Sequence, residues 1–413
     1  MATHRTDFCI VGAGPAGLTL ALTLLRSGKE VVLLERSRAF NRDYRGEILQ
    51  PGGLALLAQL GALDGARARG CHEHNRFRLV ERGRVLLDID YRRLPAPHNY
   101  LLSIPQRHML EELLALCQQF EEFTYIEGAR AARLVEEDGR VRGVEADEVR
   151  VEAHCVIAAD GRYSKVRQLA GIETDRREAF AHDVLWFKLQ APPDRLLDDV
   201  QVYRADGSPV LAYTSVPDSV QIGWTLPHKG YTDIAAQGIA HIKAQVSRAI
   251  PPYADLIDAQ IQRLSDLSLL DVFAATARTW VRDGLVLIGD SAHTHGPIGA
   301  QGINLAVQDA VLLHPVLLES LRTKDASAAF LRRFELLRRP DIDTVLRLQT
   351  LQGKAMLSHN RIASAIRPRA ARLLAHTPVY GRILRKIAYG NPRIRVSDEL
   401  FTSGSRPAAP VTS

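Results

Sequence analysis

The stretch Phe8-Cys9-Ile10-Val11-Gly12-Ala13-Gly14-Pro15-Ala16-Gly17 decides how the chain is read. Its four leading apolar residues make a buried strand, and Gly12 to Gly17 fits GxGxxG ahead of a helix spanning Pro15 to Ser27. Pro15 suits a first helical turn, where its missing N–H has no intrahelical partner to lose, and Gly28 suits the helix end. A second apolar strand, Glu30 to Leu34, then delivers Glu35, which completes a βαβ unit of a parallel sheet. Alone, GxGxxG is a glycine-rich turn; strand, helix and acid in register make it a dinucleotide site. The glycines permit a tight turn, close approach of a pyrophosphate and close helix–strand packing, while the helix N-terminus offers unpaired N–H groups and partial positive charge. Glu35 can accept both adenosine ribose hydroxyls and would repel a 2′-phosphate, so the expected tightly bound dinucleotide is FAD or NAD rather than NADP.

Outward from this unit, Leu54 to Leu60 and Met109 to Phe120 read as helices, the second apolar at Leu110, Leu113, Leu114 and Cys117. Between about Phe180 and Pro227 the pattern turns to β-rich segments, namely Val184 to Gln190, Val200 to Tyr203, Val210 to Val216 and Gln221 to Leu226, separated by Pro, Gly and Asp. Helical patterns return near Ile239, a short strand covers Leu285 to Ile288, and helices run on from Gly302.

The composition is that of a folded chain: 413 residues, 46% hydrophobic and 24% charged, which excludes disordered, collagen-like and low-complexity proteins. Cys9, Cys71, Cys117 and Cys155 never approach CxxC spacing, so neither a zinc site nor a disulfide framework is expected, and a reducing compartment fits. Nine Lys or Arg and no acid lie between Arg361 and Val396, so a net charge of +6 leaves the rest of the chain at −3. That excess belongs to one tail segment rather than to a DNA-reading motif, and no nucleic-acid partner is expected. Met1 to Asp7 is polar and the apolar run Ala16 to Leu25 is closed by Arg26, short of the roughly 20 residues a span requires. A cytoplasmic protein is expected.

Two further motifs bear on function. Cys155 to Ala159 is a strand that ends in Asp160-Gly161-Arg162-Tyr163-Ser164-Lys165-Val166-Arg167. The other is Gly289-Asp290-Ser291-Ala292-His293, then Gly296-Pro297-Ile298-Gly299-Ala300-Gln301-Gly302-Ile303-Asn304, then a helix. Each alone is an ordinary turn or helix cap. In this order the three motifs resemble those of the single-component flavoprotein aromatic hydroxylases, the FAD monooxygenase family of p-hydroxybenzoate hydroxylase, across nearly the whole chain.

The resemblance implies an α/β fold: a Rossmann-like FAD-binding domain with an inserted β-rich substrate domain and a C-terminal helical segment. The expected boundaries are residues 1–175 and 270–330 for the discontinuous FAD-binding domain, 176–269 for the substrate domain, 331–402 for helices with the basic tail, and 403–413 for a disordered end. It places Gly12, Ala13, Gly14, Pro15, Ala16, Gly17, Glu35 and Arg36 at the ADP half of FAD, and Gly289 and Asp290 at the ribityl chain. Asp160, Gly161 and Arg167 match a DGxxSxVR motif that serves FAD and pyridine nucleotide, and Arg45 and Arg107 stand where the family contacts flavin and pyrophosphate. A helix starting near Gly302 would aim its positive end at reduced flavin, with backbone N–H groups of Gly302, Ile303 and Asn304 at N1 and C2, beside Gly299. Pro297 would wall the flavin edge and keep a C4a-hydroperoxide dry. The expected activity is NADH- or NADPH-driven insertion of one oxygen atom from O2 into an aromatic, quinolone, polyketide or quinone-like molecule. A flavin-dependent halogenase or FAD-dependent reductase is the alternative; the halogenase WxWxIP signature is unmatched, since Gly223-Trp224-Thr225-Leu226-Pro227 carries one tryptophan.

Other residues are left open. The i, i+2 pair His293 and His295 lacks a supporting ligand cluster and is given no metal or catalytic role. Ser164 and Ser291 have no triad around them and read as caps. Strand alternation puts Trp186, Lys188 and Gln190 on one face, Tyr213 and Ser215 on another, and Ile222, Trp224 and Leu226 on a third, any of which could roof a pocket or be core. His72, His74, His182, Tyr203 and Tyr213 are undistinguished candidates for deprotonating a phenol. The basic tail, with Ile383, Leu384, Ile387 and Tyr389, could dock on the acidic body or rest weakly on an anionic membrane. Sequence does not settle the oligomeric state.

Overall fold

The computed structural model describes residues 1–40, 46–81, 83–177, 182–204, 208–357 and 377–402. Arg45, the Arg361-to-Arg372 part of the basic tail and the 403–413 end lie outside these residues. Strand β1 (Ala2–Val11) runs from an exposed start into the core, where Phe8, Cys9 and Ile10 are fully buried. Helix α1 (Pro15–Arg26) turns the chain back, and β2 (Val31–Glu35) lies parallel to β1 with Phe8 opposite Val31 and Val11 opposite Leu34. All five residues of β2 are buried, the pattern of a parallel strand covered on both faces.

The sheet order is Phe123–Glu127, β2, β1, Val149–Ala158, Leu285–Leu287, Val281–Arg282. Every neighbour is parallel except the last pair. From β1 the chain goes first to β2 on one side and later to Val149–Ala158 on the other, so the carboxyl ends of these strands open a crevice at a topological switch point. The strand Leu285–Leu287 brings the third motif into the sheet that carries the first. Behind it, the Gly302–Thr323 helix packs on α1 and buries Leu305, Val307, Ala310, Val311, Leu313 and Leu317 in the common core.

A second sheet has the order Ser268–Leu270, His182–Gln190, Ser219–Pro227, Val210–Ser215, Val200–Arg204, Arg76–Glu81, Arg84–Asp90. Its four central strands are those read from sequence. The Arg76–Asp90 hairpin, by contrast, falls within the 1–175 span assigned to the other domain. Its alternation is masked by charges that are satisfied across strands, as in Arg76–Asp88 at 2.7 Å and Arg78–Asp199 at 3.0 Å. Its parallel pairing of Phe77 with Val200 has no local signature.

The two faces of this sheet differ. Leu185, Phe187, Ala212, Ile222, Trp224 and Leu226 pack under the helices Ile239–Ala249 and Ala254–Gln260. The Ile222, Trp224 and Leu226 face is therefore core and does not roof a pocket. Trp186 and Tyr213 look the other way, toward Ile48, Tyr91, Leu101 and, from the tail, Tyr380, Leu384 and Ala388.

Those tail residues lie one turn apart on the helix Pro378–Tyr389, so its apolar face is spent on the body. Gln301 and Gln308 donate to the carbonyls of Ile387 and Tyr389 at 2.8 and 3.1 Å, and Lys386 faces Asp341 at 3.8 Å. Docking is what this segment does here. Among the described residues no helix is long and apolar enough to cross a membrane.

Candidate active site

The Gly12 turn is built around a backbone that only glycine accepts. Gly12 has φ +109°, and a Cβ there would strike the Ala159 carbonyl; one at Gly17 would strike the Gly12 carbonyl. The first helical bond of α1 runs from Leu18 N to Gly14 O at 3.0 Å, and Gly14 supplies no side-chain cap. The N–H groups of Ala16 and Gly17 thus precede the helical ladder. Glu35, buried at the end of β2, is held in place by Ala13 N–H on Oε2 (2.8 Å) and Ser37 N–H on Oε1 (3.0 Å). Turn and acid, separated in sequence, are one object.

The second and third motifs are stitched together. Asp160 accepts from Ser164 Oγ, from Ser291 Oγ (3.1 Å) and from Val166 N–H (3.0 Å), and Gly161 N–H donates to Ser291 Oγ (3.0 Å). Ser164 caps the Lys165–Leu169 helix, accepting from Arg167 N–H. Arg167 donates to the carbonyls of Ser291 (2.8 Å) and Arg162 (3.1 Å). Asp160 and Arg167 therefore point their polar atoms at protein and fix the geometry of both turns. Arg162, inside the same motif but unmarked by the sequence reading, faces Asp290 at 3.6 Å, and both are partly exposed.

Beneath the third motif lies a buried charge cluster. Asp309 accepts from Gly289 N–H (2.8 Å), shares a hydrogen bond with His293 Nε2 (2.7 Å) and pairs with Arg338 (2.7 Å). Burial alone would raise the Asp309 pKa, but His293 and Arg338 outweigh it and hold the carboxyl at about 2. His293 and His295 share a 2.7 Å hydrogen bond, and burial followed by the His293 charge pushes His295 well below its ordinary value. These histidines anchor the turn to the helices behind it.

The Gly296–Gln301 loop is shaped by amide side chains that bind its carbonyls. Gln349 donates to Gly296 O and Ile298 O, Gln50 and Gln301 to Gly299 O, and Asn304 to Ala300 O, all between 2.7 and 3.1 Å. The carbonyls are turned toward protein. Leu305 N–H makes the first helical bond, to Gln301 O, and Gln301 gives no side-chain cap. The N–H groups of Gly302, Ile303 and Asn304 thus begin the Gly302–Thr323 helix uncommitted to its ladder. A Cβ on Gly302 would meet nothing, and Pro297 is half-buried at the same opening.

Two further sequence candidates sit apart. Arg36 is exposed, and Arg107 is exposed with Glu111 at 3.6 Å as its partner. Gln106 beside it is buried, with Oε1 lacking a partner in the structure.

The face of the second sheet that carries Trp186 and Tyr213 holds a feature that the sequence reading did not assemble. Lys188 Nζ lies 2.8 Å from Glu47 Oε1 and donates to Ser215 Oγ (3.0 Å), which in turn donates to Glu47 Oε2 (2.6 Å). Of the candidates for deprotonating a phenol, His74 is fully buried against Ser103 and Thr214 O, and burial with the His72 charge lowers it to about 4. Tyr203 packs on the helix-covered face, and burial lifts Tyr213 well above its ordinary value, with Glu47 adding to the shift. None of these three is placed to take a proton near neutral pH. His72 is half-buried, which lowers its pKa. His182 is half-buried at the start of its strand. Among the described residues, Asp183, His228 and Asp271 have metal-like spacing, but Asp183 is already occupied by His228 Nδ1, Lys229 N–H and Val272 N–H.

FAD fits what is present. A dinucleotide needs the close approach that Gly12 and Gly17 allow, an acid beside the turn, and donors for a pyrophosphate and for a reduced isoalloxazine, which α1 and the Gly302 helix offer at their starts. Sheet, crevice and motifs together define an FAD-dependent, NAD(P)H-driven monooxygenase of the flavoprotein hydroxylase class. The chain belongs to the family described as FAD binding domain, whose model matches residues 5–348. It is 58% identical over 404 residues to 6-methylpretetramide 4-monooxygenase of Streptomyces rimosus, covering 97% of this chain and 96% of that one. It is 28% identical over 368 residues to protoasukamycin 4-monooxygenase of Streptomyces nodosus subsp. asukaensis, covering 84% and 87%. Among solved structures, p-nitrophenol 4-monooxygenase PnpA of Pseudomonas putida DLL-E4 shares the fold at a TM-score of 0.80 and 19% identity, covering 95% of this chain and 99% of that one. PqsL of Pseudomonas aeruginosa does so at 0.76 and 21%, covering 89% and 100%.

Proposed function

We propose that the protein hydroxylates a phenolic aromatic polyketide, with 6-methylpretetramide as the compound to test first. The observation that carries this reading is the 58% identity across 97% of the chain with 6-methylpretetramide 4-monooxygenase. An apolar, aromatic wall suits such a molecule: Trp186, Tyr213, Tyr91 and Ile298 gather in one cluster, and flat rings pack well against aromatic faces.

Bound FAD supplies the redox chemistry, taking electrons from NAD(P)H and delivering one oxygen atom of O2 to the ring. The chain's own groups hold and shield. The Gly12-to-Gly17 turn and the start of α1 would bind the pyrophosphate, and Glu35 the adenosine ribose. Asp290, with Arg162 beside it, would hold the ribityl region. N–H groups of Gly302, Ile303 and Asn304 would stabilise negative charge at the flavin pyrimidine ring. Pro297 and Ile298 would exclude water from the reacting edge. The tail helix closes the far wall with Tyr380 and Leu384.

The test is NADPH oxidation by the FAD-loaded protein with and without 6-methylpretetramide, with the product analysed by mass. Stimulated oxidation with a singly oxygenated product supports the reading. Unstimulated oxidation that yields only hydrogen peroxide refutes it for this substrate.

A further inference from the structure

Lys188, Glu47 and Ser215 come from three separate segments and form a closed triangle of one ion pair and two hydrogen bonds on the sheet face that carries Trp186 and Tyr213. Its burial is uneven. The side chains of Glu47 and Lys188 are 5% and 22% exposed, and Ser215 is buried, so Lys188 is the most exposed of the three. Among the described residues its ammonium has one hydrogen-bond acceptor, Ser215 Oγ, besides the ion pair with Glu47. On the same sheet face, the Trp186 indole N–H and, across the cluster that Ile298 and Ala300 pack against, the Tyr380 hydroxyl are buried without hydrogen-bond partners among the described residues. Buried donors left unpaired cost free energy unless a ligand satisfies them. Donors without acceptors ask for a ligand rich in oxygen.

We propose that the Lys188 ammonium receives a phenolic oxygen of the substrate and holds it as a phenolate, the phenol proton leaving to bulk water. This inference rests on the substrate reading above. The O–H bond of the phenol breaks and its proton goes to water. The electron pair stays on the phenol oxygen. Lys188 stays an ammonium throughout, with the phenolate on one side and Glu47 on the other. A phenolate ring is the more electron-rich acceptor for an electrophilic oxygen. Among the described residues the other titratable groups of this cluster are Tyr213, two residues before Ser215 on the same strand, with His74 behind it, and Tyr91 and Tyr380. Burial keeps all four neutral at neutral pH.

The test is a spectrophotometric pH titration of 6-methylpretetramide bound to the oxidised, FAD-loaded enzyme, without NADPH, for the wild type, Lys188→Met and Lys188→Arg. A cation within about 4–6 Å lowers a phenol pKa by about 1–3. The wild type and Lys188→Arg should show the bound phenol ionising below its free value by that amount, and Lys188→Met should bind it with the shift lost. A purely structural pair would lower the melting temperature of Lys188→Met and leave the bound phenol's pKa where the wild type has it, which overturns the inference. So does a wild type whose bound phenol titrates as the free compound does. A wild type that binds no 6-methylpretetramide overturns the substrate reading first, and this inference with it.

Discussion

Asp309 is where single side chains decide most, because one carboxylate serves the Gly289 turn, His293 and Arg338 with no exposure to water. Removing one member of a buried ion pair leaves the other uncompensated, a loss of about 3–5 kcal/mol. Asp309→Ala should therefore destabilise by that amount in urea unfolding and release FAD more readily, since the turn before Asp290 is untied. A loss under about 1 kcal/mol would contradict this. Acid sensitivity follows from named groups. Burial lowers His74 and His314 to about 4, so the unfolded chain takes up protons from about pH 6.5 that the native state refuses. Their contribution, on the order of 3 kcal/mol apiece, is complete above pH 6.5 and lost as pH falls toward 4. Asp309, held at about 2, then loses its own between about pH 4 and 2. Melting temperatures should fall in these two steps, and His314→Gln should flatten the upper one; an unchanged slope would show that His314 is not its source.

Among the elements, the helix Pro378–Tyr389 is the one whose position sequence left undecided. Its apolar spacing was visible, but an amphipathic helix reads the same whether a membrane or a protein covers it. Leu384, 3% exposed against the body, settles which surface is covered here. Leu384→Ala should cost about 2–4 kcal/mol of helix docking and raise the KM for the polyketide more than it lowers kcat, because it loosens a wall rather than the chemistry. Equal changes in both would argue against that role. The βαβ unit was legible because glycine spacing, Pro15 and a continuous apolar strand all carry local signatures. The Arg76–Asp90 hairpin was not, since its pairing with Val200–Arg204 depends on partners far along the chain. The roof was half legible: alternation put Lys188 with Trp186 on one face, but nothing local joins Ser215 to a glutamate 168 residues away.

For the whole molecule, one parallel sheet with its switch-point crevice would bind the cofactor, and a second sheet with the docked tail would bound the space above it. This division explains why three motifs spread over nearly 300 residues belong to one site: the first starts from β1 itself, the second ends its neighbour Val149–Ala158, and the third ends Leu285–Leu287 on the far side of that strand. The central claim is that this space brings an aromatic polyketide to a flavin that activates O2. Its most direct test is the reaction of the FAD-loaded protein with NADPH and 6-methylpretetramide under ¹⁸O₂. The account predicts one labelled oxygen atom in the product, the other leaving as water. Substrate recovered unlabelled while NADPH is consumed, or a product whose new oxygen comes from water, would contradict it.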